Sequence, residues 1–272
     1  MNINCDTIGI QKLKEIQLEI LMAVHNFCIE NNIKYSLACG TLIGAIRHKG
    51  YIPWDDDIDI CLLRSEYKKL EKSFPYLLNG KYRFLTLDRN DEWFMPWGKI
   101  IDTRTIMTEE SRCKDKNLGV FIDVFPMDDV PDDDVIFMRW NCVRKFLLQR
   151  WFLKNTKMTN NMSFKRKINI LLTRFVFFPL SMRKLAKIID AFIQNPKYKD
   201  STRIYESCDS LRAKHNQSKE DFEDYIDLDF EGHMFKAMVG YDDYLHNIYG
   251  DYMILPPKEK RVTHHSFIAY WK

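Results

Sequence analysis

Apolar residues between positions 10 and 32 recur every three or four places. Leu13, Ile16, Ile20, Leu21, Val24, Phe27 and Cys28 fall on one face of an amphipathic helix, which Asn31-Asn32 ends. Ile33 to Cys39 then reads as a strand broken by Gly40, and Thr41 to Arg47 as a short helix. Arg64 to Phe74 predicts a helix. Tyr82 to Leu87, Trp97 to Ile101 and Val120 to Phe125 predict strands. Pro126 and the acidic run Asp128–Asp134, read as a solvated turn, are expected to end the last of these. Residues 135–195 predict helices with two apolar stripes. One is Ile136, Trp140, Val143, Leu147 and Trp151; the other is Met182, Leu185, Ile188, Ile189 and Phe192. Residues 203–223 predict a weakly patterned helix. Tyr225 to Phe230 alternates like a strand, and Tyr241 to Tyr249 suits a short helix with Gly250 as its stop.

Composition changes this picture in two places. With 272 residues, 46% hydrophobic and 14% aromatic, the chain is long and apolar enough for a sizeable core, which excludes a disordered protein. The net charge of +3 hides an asymmetry. Residues 135–189 carry 13 Lys and Arg and no Asp or Glu, leaving 28 basic against 38 acidic residues elsewhere. A cationic segment is thus joined to an acidic body. Seven cysteines without a C-x-x-C pair or metal-ligand spacing point to a reducing compartment, with Cys39 and Cys61 as small buried groups. No signal-peptide pattern and no run of about 18 apolar residues occur, so a cytoplasmic location is expected.

The chemistry concentrates in Asp55-Asp56-Asp57-Ile58-Asp59. In an extended segment Asp55, Asp57 and Asp59 share one face, and Asp56, Ile58 and Ile60 the other. These acids run straight into apolar Ile60, Cys61, Leu62 and Leu63, as at the mouth of a buried strand rather than in a solvated loop. Converging carboxylates repel one another unless a cation lies between them, and hard oxygen ligands favour Mg²⁺ or Mn²⁺. Upstream, a strand, Gly40-Thr41 and a helix start form an arrangement that presents backbone N–H groups to an anion. Downstream, Asp123 interrupts the apolar Val120–Phe125, a costly position unless the carboxylate is paired or bound to a cation. Asp102, beside Arg104, is read as that arginine's ion-pair partner.

Several blocks resemble the LicD family, which includes bacterial phosphocholine transferases and is related to fukutin-like phosphotransferases. They are Gly40-Thr41-Leu42-Ile43-Gly44-Ala45 with Arg47-His48, Gly50 to Ile60, Trp97 to Asp102, Gly119 to Pro126, Phe230-Glu231-Gly232, and Tyr249 to Pro257. The resemblance spares residues 135–200. It implies an α+β, nucleotidyltransferase-like fold, a mixed sheet flanked by helices. The core would be residues 1–134, residues 135–200 a basic helical insert, and residues 201–272 a part packing back on the core.

The resemblance also implies a metal-dependent enzyme that transfers phosphocholine from CDP-choline to a hydroxyl of a cell-surface glycan. Lipopolysaccharide, teichoic acid or capsule precursors are the acceptor classes. Asp57, Asp59 and Asp123 match the family's acids and are expected to hold the metal, with Asp123 completing the site or taking the acceptor's proton. Asp55 is a further candidate for either role. Gly40 and Thr41 would support a donor phosphate, and Arg47, His48 or Lys99 could neutralise it. A quaternary ammonium needs aromatic faces, for which Trp54, Trp93 and Trp97 are the candidates, core or rim packing being the commoner role of any one tryptophan. The acids alone fit ribitol phosphate, glycerol phosphate or nucleotide transfer as well, or an inactive binding module on a glycan-assembly complex. The cationic, aromatic-rich segment 135–189 is expected to face a membrane surface and a lipid-linked acceptor rather than nucleic acid, the alternative being an ordinary helical subdomain whose aromatics pack inward and whose charges pair with the acidic body.

Overall fold

The computed structural model describes residues 7–74, 76–77, 79–109, 118–208, 215–263 and 267–272. The pair His264-His265 and part of the 203–223 segment lie outside the described residues. The chain begins with β1 (Thr7–Ile8), α1 (Ile10–Glu30), β2 (Ser36–Leu37), α2 (Cys39–Arg47), β3 (Asp59–Leu63) and α3 (Arg64–Ser73). There follow β4 (Tyr76–Leu77), β5 (Tyr82–Leu85), β6 (Gly98–Asp102), β7 (Thr105–Glu109) and β8 (Phe121–Asp129). Three helices come next: α4 (Asp134–Asn155), α5 (Phe164–Val176) and α6 (Met182–Ile193). The rest is β9 (Arg203–Glu206), β10 (Gln217–Ser218), β11 (Tyr225–Phe230), β12 (His233–Met238), α7 (Tyr241–Tyr249) and β13 (Phe267–Trp271). The architecture is α+β, as expected.

β8 organises the main sheet. On one side it runs parallel to β3, with Asp59 opposite Asp123 and Leu63 opposite Met127. On the other it pairs antiparallel first with β6, up to Val124, and then with β9, from Met127 onward. Pro126 does not end this strand. It falls between the two antiparallel partners, where the ladder is already interrupted and a missing N–H costs least. Asp128 is therefore not in a solvated turn. It is buried in β8 and held by Arg64 Nε at 2.6 Å and Nη2 at 2.8 Å. The strand's side chains from Phe121 to Asp128 are all buried, which accounts for its apolar run on both sides of Asp123.

The described residues of 203–223 form β9, β10 and a 3-10 turn (Glu220–Phe222) rather than a helix. The β9 backbone pairs with β8 and that of β10 with β9, so tertiary pairing overrides a weak helical pattern. A second sheet joins β1, β13 and β7, and the hairpin β11–β12 stands apart as a two-stranded unit. One continuous core includes Ile16, Ile20 and Val24 of α1, Ile60 and Val124 of the central strands, and Trp140, Leu148 and Trp151 of α4. Asp133, Ser163 and Ser181 cap α4, α5 and α6 by accepting hydrogen bonds from Ile136 N, Arg166 N and Lys184 N. Among the described residues no helix is long and apolar enough to cross a membrane, and no disulfide joins the five described cysteines.

Candidate active site

The acids lie at the mouth of β3. Residues 55–58 are irregular, and the strand begins only at Asp59. Strict alternation therefore fails across the motif. Asp55, Asp57 and Asp59 do line a common cleft. Asp56 is buried, yet its carboxylate joins those of Asp55 and Asp57, with ligand oxygens within 4.8 Å of one another. Such a set of hard oxygen donors fits a divalent cation.

Local contacts explain why the acids stay there. Gln17, wholly buried on α1, donates to Asp56 O at 3.0 Å. Asp59 N donates to Thr41 Oγ1 at 2.9 Å, and Ala38 N donates to Asp59 O at 3.0 Å. Thr41 thus sets the start of β3 rather than presenting its hydroxyl to a ligand. Gly40 belongs to the first turn of α2, and a Cβ there would overlap Asp55 Oδ2. The glycine lets a carboxylate approach the helix.

Asp59 is buried, and its pKa is raised well above the usual carboxylate value. The causes are burial first, then the charges of Asp57, Asp123, Asp55 and Glu206. Asp123, its neighbour across the parallel pair, is differently served. Lys99 Nζ donates to both of its oxygens, at 2.6 and 2.7 Å, and Trp97 Nε1 donates to Oδ1 at 2.6 Å. Lys99 is therefore committed to a buried ion pair. Asp102 is fully buried and is gripped by Arg104 Nη2 at 2.5 Å and Nε at 3.0 Å, the pairing expected from sequence.

The cleft has a volume of about 730 Å³. One wall is Gly40, Ile43, Arg47, Trp54 and the three acids; the other is Tyr249, Asp251, Tyr252, Pro256, Glu259 and Lys260. Arg47 Nη1 joins the two walls by donating to Tyr252 O at 2.5 Å. Its Nε donates to His48 Nε2 at 2.9 Å, and burial followed by the Arg47 charge lowers the His48 pKa. The Arg261 guanidinium stands 5.6 Å from the Trp54 ring centre.

Of the three tryptophans considered as aromatic faces, Trp54 lines the cleft and Trp93 and Trp97 are core. Trp93 Nε1 donates to Trp97 O at 2.8 Å. Trp97 packs on Phe125, Trp151 and Phe152. Tyr249 and Tyr252 supply aromatic surface that sequence reasoning did not assign. It also missed Gln17 and Glu206. Gln17 sits four residues from both Leu13 and Leu21, on the buried stripe, and a lone polar residue there was the available signal. Glu206 is buried on β9 and accepts from Tyr244 Oη at 3.1 Å; no local pattern marks it.

Comparison with known proteins bears on this geometry. The family described as LicD/FKTN/FKRP, nucleotidyltransferase domain, matches residues 32–193. The bounds of the match extend across α4, α5 and α6. The chain is 35% identical over 263 residues to the lipopolysaccharide cholinephosphotransferase LicD of Haemophilus influenzae, covering 93% of this chain and 94% of the relative. An uncharacterised protein of Rickettsia typhi is 32% identical over 120 residues, or 44% of this chain and 37% of that one.

Proposed function

Because the chain belongs to the LicD/FKTN/FKRP nucleotidyltransferase-domain family and is a phosphotransferase of the LicD type, we propose that it transfers phosphocholine from CDP-choline to a hydroxyl of a cell-surface glycan, lipopolysaccharide being the acceptor of its Haemophilus relative. The near full-length similarity to a lipopolysaccharide cholinephosphotransferase carries this reading. The cleft supplies what the reaction asks for, carboxylates beside aromatic and cationic groups.

In this mechanism the acceptor oxygen forms a bond to the phosphorus bearing choline, and the bond from that phosphorus to the CMP oxygen breaks. The hydroxyl proton passes to a carboxylate of the Asp55–Asp59 cluster. Asp57 and Asp59, with Asp55 and Asp56 beside them, would hold Mg²⁺ or Mn²⁺. A bound divalent cation would neutralise phosphate charge. Asp123, held by Lys99 and Trp97, orients the neighbouring Asp59 strand and adds to the field there. Arg47 and Lys260 face the cleft and offer positive charge to the donor's phosphates. Trp54, Tyr249 and Tyr252 offer faces to the trimethylammonium head.

One observation favours a second reading. Arg261 already lies over Trp54 and occupies an aromatic face that choline would use. A polyol phosphate such as ribitol or glycerol phosphate would not need that face. Incubation of the protein with Mg²⁺ and CDP-choline, CDP-ribitol or CDP-glycerol, following CMP release and the mass added to a glycan acceptor, separates the two. Choline transfer is expected. Turnover of a CDP-polyol with none of CDP-choline would replace the first reading with the second.

A further inference from the structure

The helix α5 is packed with its apolar side outward. Its buried positions are Ile170 and Thr173. It meets α4 largely through polar groups: Arg150 Nη1 donates to Asn169 Oδ1 at 2.9 Å and to Thr173 Oγ1 at 3.0 Å. Arg174 Nη2 donates to Thr156 O at 2.8 Å. The apolar residues Phe164, Ile168, Leu171, Leu172 and Phe175 follow the spacing of a single helical face. They are 77%, 39%, 53%, 57% and 81% exposed, and Phe178, just past the helix, is 83% exposed. This exposure does not come from a loose end. Lys154 Nζ donates to Phe177 O at 2.5 Å and to Leu180 O at 2.6 Å, which ties the turn after α5 to α4.

A contiguous exposed apolar stripe of this kind marks a contact surface. Charge decides among the occupants. Lys157, Lys165, Arg166, Lys167 and Arg174 accompany the stripe, and residues 155–176 contain no acid. A second copy placed on the same face would bring two cationic clusters together, whereas an anionic lipid surface complements both features. Aromatic residues on one face with basic residues at the flanks suit a helix lying in the bilayer interface. We propose that α5, with the turn through Phe178, is a docking surface for an anionic phospholipid bilayer. Phe164, Phe175 and Phe178 enter the acyl boundary, and Lys165 and Lys167, on either flank of the stripe, meet headgroup phosphates.

Flotation of the full chain with vesicles of phosphatidylcholine, alone or mixed with phosphatidylglycerol, tests this without any substrate. At low salt the protein is expected to float with the mixed vesicles and not with the neutral ones, and added salt reverses the binding. Joint replacement Phe164→Ser, Phe175→Ser and Phe178→Ser weakens binding by more than about tenfold at an unchanged melting temperature, because these side chains contribute little to the core. Lys165→Glu with Lys167→Glu has the same effect. Three results would overturn the proposal: no flotation with either vesicle, mixed-vesicle binding unaffected by the serine replacements, or a wild-type dimer in sedimentation velocity that those replacements dissolve.

Discussion

A carboxylate beside other carboxylates is a cost to the empty protein, and the two central acids meet that cost differently. Asp59 answers burial and the charge of Asp57 with a raised pKa; Asp123 has Lys99 on both oxygens. Asp57→Asn and Asp59→Asn are therefore each expected to abolish CMP release while the melting temperature of metal-free protein holds or rises, since a repulsion is removed. Near-normal turnover in either variant would overturn the assignment. Lys99→Met acts in the opposite sense. It leaves Asp123 buried beside other acids without its cation, and urea unfolding should show a loss of about 3–5 kcal/mol. Adding Asp123→Asn should restore much of it, a coupling measurable as a double-mutant cycle. The sequence made the Asp102–Arg104 pair visible because the partners are two residues apart. It made Lys99 look like a phosphate ligand, because its true partner is Asp123 and the pairing exists only once β6 lies beside β8.

At the scale of elements, periodicity revealed the helices that bury one clear stripe, α1, α3, α6 and α7, and the apolar start of β8. It missed elements whose pattern is set by neighbours: β9 and β10 on the far side of β8, β12 as the return arm of its hairpin, β13 as the partner of distant strands, and the continuation of β8 through Pro126. In α2, two glycines have different reasons, and substitution should separate them. A Cβ on Gly44 would overlap the Gly50 carbonyl and lie 3.4 Å from Phe230 Cε2, whereas one on Gly40 meets only the Asp55 carboxylate. Alanine gains about 1 kcal/mol of helix propensity at either site. Gly44→Ala should nevertheless lower the melting temperature, since backbone must move. Gly40→Ala should leave it near wild type and lose activity by displacing Asp55. Packing of α1 on β12 predicts a pH effect. Burial, then Lys236, lower the His25 pKa, with Asp227 opposing; the ring meets Tyr35 and Phe235 edge-on. The unfolded imidazole takes up a proton near its ordinary value of 6.5 while the folded one stays neutral. Stability from this group is complete above that pH and falls as pH drops through it towards the folded value. The decline in melting temperature from about pH 7 to about pH 5 should be shallower in His25→Gln. Equal slopes would remove His25 as its cause.

At the scale of the whole molecule, the site is assembled from stretches about two hundred residues apart, and that assembly is what the sequence could not display. The block Tyr249 to Pro257 carried a family resemblance, but only the fold sets it across the cleft from Asp55, Asp57 and Asp59. Phe230-Glu231-Gly232 gains its meaning in the same way. The turn of the β11–β12 hairpin reaches back to the loop that leads into the acids. Glu231 N donates to Lys49 O at 2.9 Å, and Glu231 Oε1 accepts from Tyr51 N at 2.9 Å. Positive φ angles at Glu231 and Gly232 make the tight turn that aims this side chain. Gly50 is required beneath it, because a Cβ there would overlap Glu231 Oε1. The far end of the same loop is held by Gln17 and Thr41, so Glu231 is the clamp at the entrance to a segment already fixed at its exit. Removing that clamp should cost about 1 kcal/mol locally and misplace the acids some of the time. Glu231→Ala is accordingly expected to lower kcat several-fold, with faster amide exchange at Tyr51 and a nearly unchanged global unfolding midpoint. Glu231→Gln keeps an acceptor at the same reach and should restore both exchange protection and most of the rate. If alanine and glutamine behave alike, the charge rather than the hydrogen bond is what the loop requires; if neither alters exchange at Tyr51, the hairpin does not hold the acidic loop.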